Sequence, residues 1–147
     1  MAGEKGTSNS IGWLELIFQA TVLAAMNTLI ANAGSPLTQL YVSLHNADPT
    51  AAGTQSSNET IYTNYARVSV ARTSGGWSIA AETVTNVGAI NFPQCGATGD
   101  TITYVGVGTA SSGAGVLLWA GPLSSSLAVS NGITPSFAAS SLTITEG

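Results

Sequence analysis

Residues 37–46 read LTQLYVSLHN. Leu40, Val42 and Leu44 fall on one side of an extended chain, and Tyr41, Ser43 and His45 fall on the other. A period of two marks a half-buried β-strand. The pattern continues downstream. YTNYARVSVAR (62–72) sets Ala66, Val68 and Val70 against Tyr65, Arg67 and Ser69. GWSIAAETV (76–84) and VGAINF (87–92) read as two short strands, the second stopped by Pro93. TITYVGVGT (101–109) is another, with Gly106 and Gly108 leaving room on one face for a close neighbour or a bulge. VLLWAG (116–121) and SLAVS (126–130) follow, then Asn131-Gly132, the strongest hairpin signal in the chain. Residues 133–137 return, and SLTITE (141–146) closes the pattern. With turn signals between so many short strands and no βαβ alternation, the fold class is mainly β. The expected architecture is an antiparallel sandwich or barrel-like domain of seven or eight strands over 37–147.

Residues 1–36 differ. MAGEKGTSNS (1–10) reads as a polar arm. Residues 11–33, IGWLELIFQATVLAAMNTLIANA, hold no proline, and Gly34, Ser35 and Pro36 end them. They predict a helix of about twenty residues, capped at Ser8 or Ser10. Polar positions do not gather on one face, so apolar groups point nearly all round the cylinder. A membrane span is disfavoured by Glu15, by Asn27 and by the lack of a flanking basic cluster. A signal peptide, with Ala31-Asn32-Ala33 as its cleavage site, is disfavoured by Glu15 inside the apolar run. The reading that remains is a helix sheltered by other protein. Trp13, Leu14, Leu16, Ile17 and Phe18 are its expected contact residues, with Asp48 and Asn58 of the polar loop 46–60 secondary.

The chain has 147 residues, three Lys or Arg and seven Asp or Glu, so charged residues make up only 7%. A typical soluble domain carries about 25%. Ser and Thr, 18 of each, must make the surface polar instead. Lys5, Arg67 and Arg72 are too few and too scattered to follow a phosphate backbone, which argues against nucleic acid as a partner. A single cysteine, Cys95, allows no internal disulfide.

Motifs of catalysis are missing. His45 is the only histidine, and no G-x-S-x-G elbow accompanies it. The bland reading puts His45 at a strand end, facing solvent or an interface. The carboxylates Glu4, Glu15, Asp48, Glu59, Glu82, Asp100 and Glu146 show no pairing pattern. Gly108 and Gly113 have phosphate-loop spacing, but Ala114 and Gly115 stand where Lys and Ser or Thr are needed. One Cys and one His cannot supply a zinc site, so no cofactor or metal is expected. Tyr62, Tyr65 and Trp77 are the candidates for an aromatic platform that would hold a glycan.

The ordered run LYVSLHNADP, YARVSVAR, GWSI, AINFP, YVGVGTASSGAG, LLWAGPL and SLAVSNGITPSFAASSLTIT resembles a family of small virion proteins of tailed bacteriophages, usually labelled tail fibre proteins. The resemblance spans roughly residues 37–147, and the order of the segments is its specific part. It implies a virion location and offers no catalytic residues. Fibres tend to carry shaft repeats or coiled-coil heptads, and this sequence has neither. Small size, low charge and a helix in need of cover point to a head decoration protein instead. That reading expects a homotrimer bound to the major capsid protein at capsomer junctions, with arms 1–10 and 46–60 reaching neighbours. A tail fibre or tail-tip protein that binds host glycan is the alternative.

Overall fold

The computed structural model describes residues 7–20 and 37–145, with only the backbone of residues 7–10. These residues hold one helix, α1 (Thr7–Gln19), and nine strands. The strands are β1 (Gln39–His45), β2 (Val68–Ala71), β3 (Trp77–Ala80), β4 (Thr83–Asn86), β5 (Ile90–Asn91), β6 (Asp100–Gly108), β7 (Leu117–Val129), β8 (Ser136–Phe137) and β9 (Thr143–Thr145). The mainly β, antiparallel class with an N-terminal helix is as the sequence suggests. Two compact units form. One draws on Met1–Thr38, Ala71–Ala89 and Ala138–Gly147, the other on Gln39–Val70 and Ile90–Phe137.

The first unit pairs α1 with the sheet β3-β4-β9. Leu14 and Phe18, four residues apart and so on one helix face, are fully buried. The Phe18 ring meets Trp77 edge to face at 4.7 Å, and the Gln19 amide donates to the Trp77 carbonyl at 3.1 Å. Helix α1 begins at Thr7 and ends at Gln19, not at residue 33. Ser8 and Ser10, expected as caps, lie inside its first turns. The end has a physical cause. Arg72, beyond the helix in sequence, donates its guanidinium N–H groups to the carbonyls of Leu16 and Ile17, and to that of Leu37 at 2.9 Å. These satisfy acceptors that an ending helix would otherwise leave open. Ala20 then turns left-handed, with φ of 55°. The rest of the expected helix, 21–33, and the arm 1–6 lie outside the described residues.

GWSIAAETV is a hairpin rather than one strand. Trp77 pairs with Asn86 and Ala80 with Thr83, and Ala81 has φ of 53° in the turn. The buried Asn86 amide donates to Gly88 and Ala138 carbonyls at 2.8 and 2.7 Å, and its oxygen accepts from Leu142 N–H at 2.9 Å. One side chain thus fastens the final segment to β4.

The second unit is built on the sheet β2-β1-β6-β7 and a small pair, β5-β8. β1 is internal to its sheet, and Tyr41, Ser43 and His45 lie opposite Gly108, Gly106 and Tyr104. The expectation of a half-buried β1 needs correction: Ser43 and His45 are as buried as Val42 and Leu44. The cause is the segment after β1, which folds over that face. Thr60 N–H donates to the Leu44 carbonyl at 2.9 Å, and the Gln55 amide donates to the Tyr41 carbonyl at 3.2 Å.

VLLWAG and SLAVS are one strand, β7. Its pairing with β6 runs from Gly108↔Leu117 to Asp100↔Val129, with a register shift between Ile102 and Tyr104 that leaves residues 123–126 bulged out. Pro122 is tolerated because β7 is the sheet edge, where a missing N–H costs no ladder bond. Asn131-Gly132 does form a turn, with Gly132 at φ of 86° and Ile133 N–H bonded to the Ser130 carbonyl. It does not close a hairpin, because β8 pairs with β5 and not with β7. Only one central residue is left-handed, whereas the hairpin type I′ turn needs two.

The glycine reading of β6 holds. A Cβ on Gly108 would sit 2.2 Å from Gln55 Cδ and 2.4 Å from the Val116 carbonyl oxygen. Gly108→Ala must therefore push backbone aside. We expect a loss of about 2–3 kcal/mol in chemical denaturation. A loss below about 0.5 kcal/mol would show that the gap is not tight.

Candidate functional site

In a chain with so few charges, four polar side chains converge under one exposed loop. Arg67 and Glu59 form a two-pronged ion pair, Nε to Oε1 at 2.6 Å and Nη2 to Oε2 at 2.7 Å, with side-chain exposures of 2% and 17%. Such planar fork geometry is particular to arginine. The remaining guanidinium hydrogens point to the β6–β7 loop, at 2.9 Å to the Ala110 carbonyl and 2.7 Å to the Gly113 carbonyl. Tyr65 links the pair to the sheet: its hydroxyl donates to Glu59 Oε1 at 2.8 Å and accepts from Leu44 N–H at 3.0 Å. Burial raises the Tyr65 hydroxyl pKa far above its ordinary value, so the phenol stays protonated as this geometry requires.

Gln55 grips the same loop. It is fully buried, its Oε1 accepts from Ala110 N–H at 2.9 Å, and its N–H donates to the Gly115 carbonyl at 2.9 Å. Gly108 and Gly115 leave the space that its side chain fills. Above these anchors Ser111, Ser112, Gly113, Ala114 and Val116 are exposed, Val116 by 62%. Thr109 and Val116 close the loop base through backbone and hydroxyl bonds.

The sequence signalled little of this. Arg67 and Glu59 lie in different segments, and Gln55 sits in a stretch whose composition reads as loop. The usable hint was the spacing Gly106-x-Gly108 opposite Ser43 and Tyr41, which makes a pocket for something polar.

His45 is not at the surface. Its Nδ1 lies 2.9 Å from the Ser57 carbonyl, which can only accept, so Nδ1 carries the proton. Nε2 then accepts from the Ser43 hydroxyl at 2.9 Å. A serine hydroxyl on an imidazole nitrogen is a nucleophile–base contact. Here both residues are fully buried, and a Cβ on Gly106 would stand 2.7 Å from Nε2. The pair is packed, with no room for a substrate. Burial lowers the His45 pKa below 6.5, against the raising effects of the Ser57 carbonyl and Glu59. The folded chain therefore binds fewer protons than the unfolded one as pH drops past 6.5, and stability declines there. Asp100 acts in a different window. Burial pushes its carboxyl up, but bonds from Thr60, Thr101, Asn46 and Ile61 outweigh this and leave it below 3.8. Its stabilisation fades only under that value. Denaturation midpoints should decline between pH 6.5 and 5 in the native sequence, and much less in His45→Gln. An equal decline in both would show that His45 is not the group responsible.

The other expected site residues separate. Leu14 and Phe18 face inward, while Trp13, Leu16 and Ile17 are half-buried. Asp48 and Asn58 are exposed, and they brace loop 46–60: Asp48 Oδ1 accepts from Thr50 N–H at 2.8 Å, and Asn58 donates to the Asp48 carbonyl at 2.7 Å. With Gln55 and Thr60 buried, that loop is tied to its own domain and not an arm free to reach neighbours. The aromatic platform needs correction too. Trp77 is fully buried in the first unit, and Tyr62 is 2% exposed with its hydroxyl on the Pro93 carbonyl. Tyr65 stacks edge to face on Tyr62 at 5.3 Å and spends its hydroxyl internally. No open ring face is shared by the three.

Among the described residues, no helix is long and apolar enough to cross a membrane, and no group of three or more His, Cys, Asp or Glu could hold a metal ion. The family comparison defines a class: a small structural protein of the tailed-phage virion. The family model described as "Podophage GP4 fiber I protein gp80" matches residues 19–145, and the chain belongs to that family. No curated protein matches it.

Proposed function

We propose that this chain is a non-enzymatic component of a phage tail fibre, carried at the tail and not on the head. The match of residues 19–145 to a fibre family carries this reading. It favours the tail over the head-decoration expectation, which drew on small size, low charge, a helix in need of cover and the lack of shaft repeats or heptads. The buried Ser43–His45 pair supports a role without chemistry. So does a network spent on loop shape. In this reading residues 1–36 carry a contact surface for residues 37–147 of other subunits, while Leu14 and Phe18 of α1 also fill the core of the first unit. The chain works as a homo-oligomer, for which a trimer is the simplest fibre symmetry. Trp13, Leu16 and Ile17, only partly covered by their own domain, supply part of that contact.

Copy number tests the assignment. A fibre component should appear at a small multiple of the tail's rotational symmetry. A shell decoration bound to the major capsid protein would be present on the order of hundreds of copies. Quantitative mass spectrometry of purified particles that returned the larger figure would overturn the tail reading.

A further inference from the structure

We propose that Asn131 is a latent deamidation site, and that hydrogen bonds to residues 94–95 keep it silent in the folded chain. The inference goes beyond the fibre reading and does not depend on it. Asn131 is exposed and precedes Gly132. In such a pair the backbone nitrogen of Gly132 can lose its proton and attack Asn131 Cγ. The bond from Cγ to Nδ2 then breaks. The amide group departs as ammonia, taking up one proton in place of the one that Gly132 gave up. Water opens the resulting cyclic imide at one of its two carbonyls. The product is aspartate or isoaspartate, each with one new carboxylate. Glycine favours the attack because it has no Cβ to obstruct its nitrogen.

The fold gives that nitrogen another task. Gly132 N–H donates to the Cys95 carbonyl at 2.9 Å, and Cys95 N–H donates to the Ile133 carbonyl at 2.8 Å. The Gln94 side-chain amide donates to the Gly132 carbonyl at 2.9 Å. Both backbone groups of Gly132 are thus engaged by the same short segment. Phe92 N–H bonds to the Pro135 carbonyl at 2.9 Å, so these bonds continue the β5–β8 pair toward the turn. Ile133 N–H, bonded to the Ser130 carbonyl at 2.9 Å, closes the turn itself. A nitrogen held this way is not free to lose its proton and swing toward Cγ. Reaction must start from a locally open state, and its rate scales with how seldom that state is visited. Exposure of the Asn131 side chain is therefore not exposure of the reaction. The protection has a consequence for a particle outside the cell, where no new chain replaces a damaged one. Isoaspartate would insert an extra backbone carbon between Ser130 and Gly132 and shift Gly132 away from Cys95.

Mass spectrometry of amide-to-acid conversion tests this in three samples at one mildly alkaline pH. They are the folded chain, the chain unfolded in guanidinium chloride, and a synthetic peptide of residues 127–135. The peptide and the unfolded chain should deamidate at Asn131 at similar rates. The folded chain should react at least about a hundredfold more slowly. Gln94→Ala removes one bond donated by an exposed side chain. Its melting temperature should hold, and its folded form should deamidate about 3–10-fold faster than the native chain. A folded native chain within about tenfold of the peptide would overturn the proposal. So would a peptide that does not react, because the site would then not be latent. A folded Gln94→Ala chain as slow as the native one would overturn the role given to residues 94–95.

Discussion

Arg67→Met should cost this protein about 3–5 kcal/mol, the loss typical when one partner of a buried ion pair is removed. Single domains are stable by only about 5–15 kcal/mol, so the variant stands near the edge of folding. The expected loss follows from what stays behind. Glu59 would keep a carboxylate with 17% side-chain exposure and no cation. The Ala110 and Gly113 carbonyls would lose their donors. The double variant Glu59→Gln with Arg67→Met should lose less than the sum of the two single losses, because the stranded charge is gone. Urea titration of the four proteins measures this. An Arg67→Met loss under about 1 kcal/mol would mean that water, not Arg67, solvates Glu59.

Phe18→Ala should cost about 3–5 kcal/mol, because a buried ring is deleted from a packed site. Phe18 is fully buried and touches Trp77, itself fully buried, with centroids 4.7 Å apart. The lost contact adds an edge-to-face term to the area term. Trp13→Ser should act otherwise. Trp13 is half-buried, so the folded chain should lose no more than about 1–2 kcal/mol. The proposed homo-oligomer, however, should dissociate. Sedimentation and thermal melting separate the two effects. If Phe18→Ala leaves the melt unchanged, α1 is not part of the first unit's core. If Trp13→Ser leaves the assembly intact, the proposed contact lies elsewhere.

These two helix residues show what the sequence made legible. A helix near residues 11–19 was readable from its composition, and so was its need for cover. Which face its own domain covers was not. Leu14 and Phe18 are chosen by β3, and Arg72 terminates the helix from 55 residues away. Neither fact leaves a local trace, since Ala20 replaces the Gly or Asn that usually marks such an end. The β3–β4 turn hid for the same reason, with Ala81 in a left-handed conformation. The alternation in β1 and β6 was plain, and so was the room left by Gly106 and Gly108. The error about β1 lay in assigning water to its polar face. A strand with Ser43 and His45 on one side looks half-exposed until a later segment supplies their partners. Pro122 makes β7 read as two strands, because an edge position cannot be read from one strand. The clamp around Arg67 joins residues 55, 59, 65, 67, 110 and 113. Only tertiary structure brings them together.

In the proposed function this chain serves as an inert part of the tail fibre. Cryo-electron microscopy of whole particles, with an antibody fragment against the native chain as a marker, addresses it most directly. The marker should decorate fibres or their junction with the tail and leave the head bare. Regular decoration across the head surface, with none on the tail, would contradict it.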